Sequence, residues 1–218
     1  MTTKKTVIET VHEQETIPAA DLRELAIEIA GIAPYVQLKF SEKAKGIMRA
    51  KHEKGSVAKK GAAREARDFN ADYSGALHVT EDGGYGIPAG AFRQGIISAC
   101  RLVGFKMTLA KLSVMVIADK FDKDDGTPLV SIHGTPEMLV SHVRNATGVA
   151  DLRVRAMWRE WSARVTVQYD AGQFSQSDII NLFARVGLQV GVGEGRPDSK
   201  NSAGMGWGMF KITGASRP

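Results

Sequence analysis

Cysteine is almost absent from this chain: Cys100 stands alone. A single thiol excludes an internal disulfide and a cysteine-based zinc site, and it points to a reducing, cytoplasmic compartment. Long apolar runs are missing too. No stretch approaches the roughly 18 residues of a membrane span and no apolar h-region opens the chain, so the sequence predicts neither signal peptide nor membrane partner. No G-x-x-x-x-G-K-[ST] occurs, which excludes a P-loop. The acidic turn Asp122-Lys123-Asp124-Asp125-Gly126 fails the spacing of a calcium loop. The five histidines (His12, His52, His78, His133, His142) are scattered without an H-x-x-x-H or H-E-x-x-H pair, so the sequence predicts no metal site and no cofactor. No repeat shows at any fixed period.

What is present is an ordinary globular composition, 43% hydrophobic and 24% charged over 218 residues. That length fits one domain, or one domain with a large insertion. Net charge is +5, and it is concentrated. Between Lys39 and Arg67 stand ten basic residues (Lys39, Lys43, Lys45, Arg49, Lys51, Lys54, Lys59, Lys60, Arg64, Arg67) against three acidic ones, Glu42, Glu53 and Glu65. That segment carries +7 and leaves −2 for the rest. A lysine-rich stretch is either a solvated face or an electrostatic footprint for an anionic partner, and both readings stay open.

Hydrophobic spacing gives the skeleton. Residues 1–20 are polar and read as an arm. Leu22, Leu25, Ala26 and Ile29, with Pro18 and Asp21 before them and Gly31 after, predict a short helix over 21–30. Tyr35–Phe40 alternates and predicts a strand. The basic segment, about 41–75, reads as a long loop or extended hairpin leaving the domain body. Pro88 suits the first turn of a helix, along which Phe92, Ile96, Ala99, Cys100 and Val103 recur. Strands follow over 112–118, 129–133, 154–158 and 163–169, the last two flanking a turn at Glu160. Ser175 to Asp178 cap a helix with Ile179, Ile180, Phe183 and Val186 inward, and a strand closes the domain over 207–212. The order is β-α-β-β-α-β, an α+β, ferredoxin-like domain over 33–212. A long basic insertion follows its first strand, and residues 213–218 form a tail.

Before the last strand runs Gly191-Val192-Gly193-Glu194-Gly195-Arg196-Pro197-Asp198-Ser199-Lys200-Asn201-Ser202-Ala203-Gly204-Met205-Gly206. Glycine admits φ > 0 and lets backbone amides approach a ligand closely. With Arg196 and Lys200 beside Gly193, Gly195, Gly204 and Gly206, those amides suit phosphate. A plain glycine-rich hairpin loop has the same composition. At the other motif, Gly86-Ile87-Pro88-Ala89-Gly90-Ala91-Phe92-Arg93-Gln94-Gly95 opens the first helix, and Arg93 there is either a phosphate contact or a surface ion-pair partner. Trp158, Trp161 and Tyr85, each near an arginine, offer stacking faces or core packing.

Both motifs resemble the RAMP superfamily of CRISPR-associated proteins. The first is similar to the entry to its first helix and the second to its glycine-rich loop, and the basic segment lies where backbone subunits of effector complexes carry a thumb. The resemblance covers roughly 33–212. It implies binding of single-stranded RNA or DNA along the sugar-phosphate backbone by Lys43, Lys45, Arg49, Lys51, Lys54, Lys59, Lys60, Arg64, Arg67, Arg93, Arg196, Lys200 and the loop glycines. It also implies homo-oligomers stacked into a helical filament, with CRISPR-like or phage partner subunits. A non-catalytic role leads. One alternative is a metal-independent ribonuclease, for which His52 between Lys51 and Lys54 is the candidate base. The other is a viral structural or assembly protein that binds no nucleic acid.

Overall fold

The computed structural model describes residues 19–40, 42–53, 66–144, 148, 150–199 and 204–217. The arm expected over 1–20 falls almost wholly outside them. Strand β1, Leu22–Gly31, stands where the spacing predicted a helix. Leu25, Ile27 and Ile29 are buried while Glu24 and Glu28 face solvent. That is a period of two, which only a strand presents to one side. Strand β2, Tyr35–Gln37, is shorter than the strand expected to Phe40. Helices α1 (Glu42–Glu53) and α2 (Phe69–Gly75) occupy parts of the segment read as loop or hairpin. Asp68 caps α2, its carboxylate accepting from the amides of Asn70 and Ala71 at 2.9 and 3.0 Å.

Strand β3 (Gly86–Pro88) runs into helix α3 (Ala89–Ala99), with Pro88 at the N-cap position just before the first turn and not within it as expected. A short helix α4 (Met107–Ser113) precedes strands β4 (Val114–Ile117), β5 (Lys120–Phe121) and β6 (Pro128–His133). Strands β7 (Glu137–Arg144), β8 (Ala150–Trp158) and β9 (Ser162–Asp170) follow. Helix α5 (Gln176–Arg185) starts at a capping box between Ser175 and Asp178 and continues as a π-helical turn, Val186–Val190. Strand β10 (Phe210–Ser216) ends the fold and takes in most of the expected tail.

The strands form two sheets, antiparallel throughout. The larger runs β10-β1-β9-β6-β3, with β4 also on β9 and β5 on β6. The smaller runs β2-β8-β7. β7 had no sequence signal that was read, and it pairs with β8 from Glu137↔Met157 to Arg144↔Ala150. Residues 159–161 therefore do not close a hairpin: they carry the chain from β8 in one sheet to β9 in the other. Helices α3 and α5 cover one face of the large sheet, where Phe92 stacks on Phe183 at 5.9 Å and Phe183 meets Phe210 at 5.3 Å.

Aromatic contacts weld the two sheets. Trp158 lies 5.4 Å from Tyr35, Tyr35 lies 5.6 Å from Trp161, and Trp161 lies 6.0 Å from Phe210. Trp158 and Trp161 are buried, and Trp161 Nε1 donates to the Ala33 carbonyl at 2.9 Å. Both belong to the core, so neither offers a stacking face. Tyr85 packs edge-on against Trp158 at 5.9 Å. No described helix is long and apolar enough to cross a membrane.

Candidate nucleic-acid interface

The basic segment is less free than its charge suggests. Lys39 is buried, its Nζ 2.7 Å from Asp122 Oδ1 and 2.8 Å from Asp124 Oδ2. Lys45 pairs with Asp125 at 2.9 Å and Arg49 with Glu53 at 3.1 Å on the same helix. Arg67 bonds Asp72 at 2.6 Å, donates to the Leu152 carbonyl and lies 5.4 Å over the Phe69 ring. Lys43 and Lys51 share helix α1 with His52, which is exposed. Lys54, Lys59, Lys60 and Arg64 lie outside the described residues, as does Lys200.

The partner of this segment is the acidic turn 122–125, joined by His78, whose Nδ1 stands 2.7 Å from Asp122 Oδ2. Burial pushes the Asp122 carboxyl up, but hydrogen bonds from Lys39, the Asp124 amide and His78 outweigh it and hold the group below its ordinary range. Burial likewise disfavours the Lys39 ammonium, and its two carboxylates more than restore it, leaving its pKa raised. His78, Asp122 and Asp125 offer ligand atoms within 4.8 Å of one another. Those carboxylates are already committed to donors: Asp122 to Lys39, His78 and the turn's amides, Asp125 to Lys45 and Thr127. Lys39 and Lys45 thereby fasten the root of the basic segment to this turn. Sequence reasoning missed it, although four acidic or basic residues in a row opposite a basic run were a usable signal.

The glycine-rich loop follows the π-helical turn and folds back on β2. Glycines 191, 193, 195, 204, 206 and 208 have φ between 67° and 79°. At Gly193 a side chain would meet the Val36 carbonyl and the Tyr35 ring, so there the residue serves close approach as well as backbone conformation. Amides of Gly191, Val192, Glu194, Asp198, Met205, Trp207 and Gly208 donate to backbone carbonyls. Those of Gly193, Gly195, Arg196 and Gly206 donate to no group among the described residues. Arg196 Nη1 bonds the Gly193 carbonyl at 2.9 Å, shaping the loop from within.

Both sequence motifs meet here. A cleft of about 60 Å³ is lined on one side by Ala91, Gln94 and Ser98 of α3, and on the other by Gly193, Arg196 and Asp198. Arg93 is not part of it. Its Nε donates to the Val114 carbonyl at 2.9 Å and its Nη2 to the Lys111 carbonyl, so it ties α3 to the end of α4.

The sheet face away from the helices mixes polar and aliphatic side chains. Glu24, Glu28, Arg164, Thr166 and Gln168 alternate onto it with Leu22, Met115 and Ile117, and among the described strand residues no Phe, Tyr or Trp does. Arg164 and Glu28 pair at 3.5 Å across it. Exposed rings stand instead at Phe40, Phe69 and Phe121, each adjoining the basic segment or its acidic anchor.

No family model matches the chain, and no curated protein matches it either. Among solved structures, it is similar to a chain in the cryo-EM structure of the Type III-B Cmr-beta bound to cognate target RNA, at 9% identity and a TM-score of 0.49. That alignment covers 89% of this chain and 60% of the other, so this chain spans less than two thirds of its neighbour.

Proposed function

We propose that this chain binds single-stranded RNA or DNA along its sugar-phosphate backbone, without cleaving it, and stacks with further copies along the strand. The observation that carries the reading is the meeting of the glycine-rich loop with the start of α3. Gly193 and Arg196, whose amides are uncommitted among the described residues, line a small cleft there, and the same loop carries two more such amides at Gly195 and Gly206, donors suited to phosphate oxygens. The order β10-β1-β9-β4, with α3 between β1 and β4 and α5 between β9 and β10, supports reading the body as a ferredoxin-like domain of RAMP type. The lack of Phe, Tyr and Trp on the described outer face of the sheet argues against base stacking across it, and favours contacts to the backbone.

On this reading the cationic segment, Lys43 to Arg67, adds charge for counterion release, and the exposed rings of Phe40, Phe69 and Phe121 offer sequence-tolerant stacking. The test is a fluorescence-anisotropy titration of nucleic-acid-stripped protein with labelled single-stranded RNA, single-stranded DNA and duplex at several salt concentrations. Tight single-strand binding with a steep salt slope is the expected result, with particle mass rising in steps along longer strands by light scattering. Absence of binding to every strand at low salt overturns the reading.

A further inference from the structure

Arg155 is the one described cation held inside the molecule without full hydrogen bonding. Its side chain is 8% exposed, on β8. Nη1 donates to Ser141 Oγ of the neighbouring strand at 2.6 Å. Nε is buried and makes no hydrogen bond among the described residues. The nearest carboxylate, Glu194 of the glycine-rich loop, reaches only to 3.6 Å, beyond hydrogen-bond range. A guanidinium presents five donors in a planar fork, and stripping it of water is costly unless an anion fills that fork. Glu194 answers the charge and leaves the fork unfilled.

We propose that Arg155 and Ser141 form a receptor for a phosphate group, which Glu194 covers until the ligand displaces it. The ligand is a phosphodiester of the bound strand, so the inference rests on the nucleic-acid reading above and deepens it.

Three features favour exchange over a permanent ion pair. The Glu194 side chain is 41% exposed and so loses little on returning to water. Its amide is bonded to the Val36 carbonyl at 2.9 Å, so the side chain can swing while the backbone stays. Arg153, two residues along the same face of β8, adds a second positive charge and faces solvent. A phosphodiester brings two acceptor oxygens that engage Nε and a terminal nitrogen side by side, which the distant carboxylate does not. The receptor lies beneath the loop that carries the uncommitted amides, so one strand can use both.

The test compares wild type, Glu194→Gln, Arg155→Lys and the double variant, with Glu24→Gln on the outer sheet face as the control for net charge. Two readouts are taken: the Kd for a labelled single-stranded RNA, and the Tm rise caused by inorganic phosphate over chloride at matched ionic strength. Glu194→Gln is expected to tighten RNA binding about tenfold, and to enlarge the phosphate shift. Glu24→Gln moves both far less, and Arg155→Lys, which keeps the charge and loses the fork, cancels the gain in the double variant. Wild type that binds RNA, with Glu194→Gln no tighter than Glu24→Gln, overturns the receptor and leaves the nucleic-acid reading standing. A phosphate shift enlarged by Glu194→Gln, in a protein that binds neither single-stranded RNA nor single-stranded DNA, keeps the receptor and overturns that reading. Should Arg155→Lys fail to fold, Ser141→Ala in the Glu194→Gln background takes its place and must lower the gain.

Discussion

Lys39 Nζ and Asp122 Oδ1 meet at 2.7 Å from positions 83 residues apart, both side chains shut away from water. One belongs to the root of the most basic stretch of the chain and the other to its most acidic turn. Their contact, with Lys45 on Asp125 and His78 on Asp122, seats helix α1 beside the 122–127 turn.

Breaking that pair leaves a buried charge without compensation. Lys39→Met is expected to cost about 3–5 kcal/mol, read as a lowered urea midpoint at constant m-value. Adding Asp122→Asn to Lys39→Met removes the stranded charge and recovers part of the loss. A midpoint unchanged by Lys39→Met would show that the pair contributes nothing.

Acid and base attack the same contact from opposite sides. Asp122 is held below its ordinary value of 3.8, so the stability it contributes is present above that value and lost as pH falls through the lower, folded value. Lys39 is raised above 10.5, so its contribution is present below that value and disappears as pH climbs through the higher one. Thermal melts across pH should therefore show a plateau between the two limits, with an acid limb that flattens in the Lys39→Met/Asp122→Asn variant.

Two glycines of the C-terminal loop separate conformation from crowding. Gly206 has φ +73 and open space around it, so Gly206→Ala costs only the left-handed backbone, about 1–2 kcal/mol. Gly208 has φ +68 and would drive a methyl into the Val192 backbone, so Gly208→Ala costs clearly more. Equal Tm losses for the two would mean that the loop does not pack as described.

Arg93 should report on structure. With its donors on the Val114 and Lys111 carbonyls, Arg93→Ala is expected to lower stability by about 1–3 kcal/mol. The salt dependence of RNA binding stays as it was. A slope reduced by about 0.7, the value of one single-strand phosphate contact, would instead make it a binding residue.

Lys59→Ala/Lys60→Ala should do the reverse. Removing both side chains lowers the salt slope by about 1.4 if each contacts a phosphate. An unchanged slope and affinity would remove both from the interface.

Part of the fold could be read from the sequence: α3 and α5 repeat at helical spacing and β9 alternates, while β4, β6 and β8 show as short, mostly apolar runs. Ser175 and Asp178 form the capping box that their spacing announces. β1 was misread because Leu22, Leu25, Ala26 and Ile29 also satisfy a helical face; the decider was Ile27, buried on the core side, which a helix would have turned outward. β7 escaped because Met138, Val140 and His142 alternate between residues that are themselves only half buried, leaving little contrast to read. At the candidate site, the glycine-rich loop and the start of α3 were visible, and their meeting was not. The ion pairs that occupy Lys39 and Lys45, and Glu194 over Arg155, join residues 39 to 85 positions apart, and beyond the opposed runs of charge no local pattern names the partners. Only folding puts them in contact.

β1 is the first described strand to leave the ribosome, yet its two neighbours in the sheet, β9 and β10, both come from roughly the last quarter of the chain. Its unpaired backbone donors and acceptors, and the apolar side of Leu25, Ile27 and Ile29, must wait until synthesis is nearly finished. Closing such distant contacts is slow compared with forming helices. The nascent chain therefore carries an open strand edge for most of its translation, and truncation before β10 leaves β1 paired on one side alone.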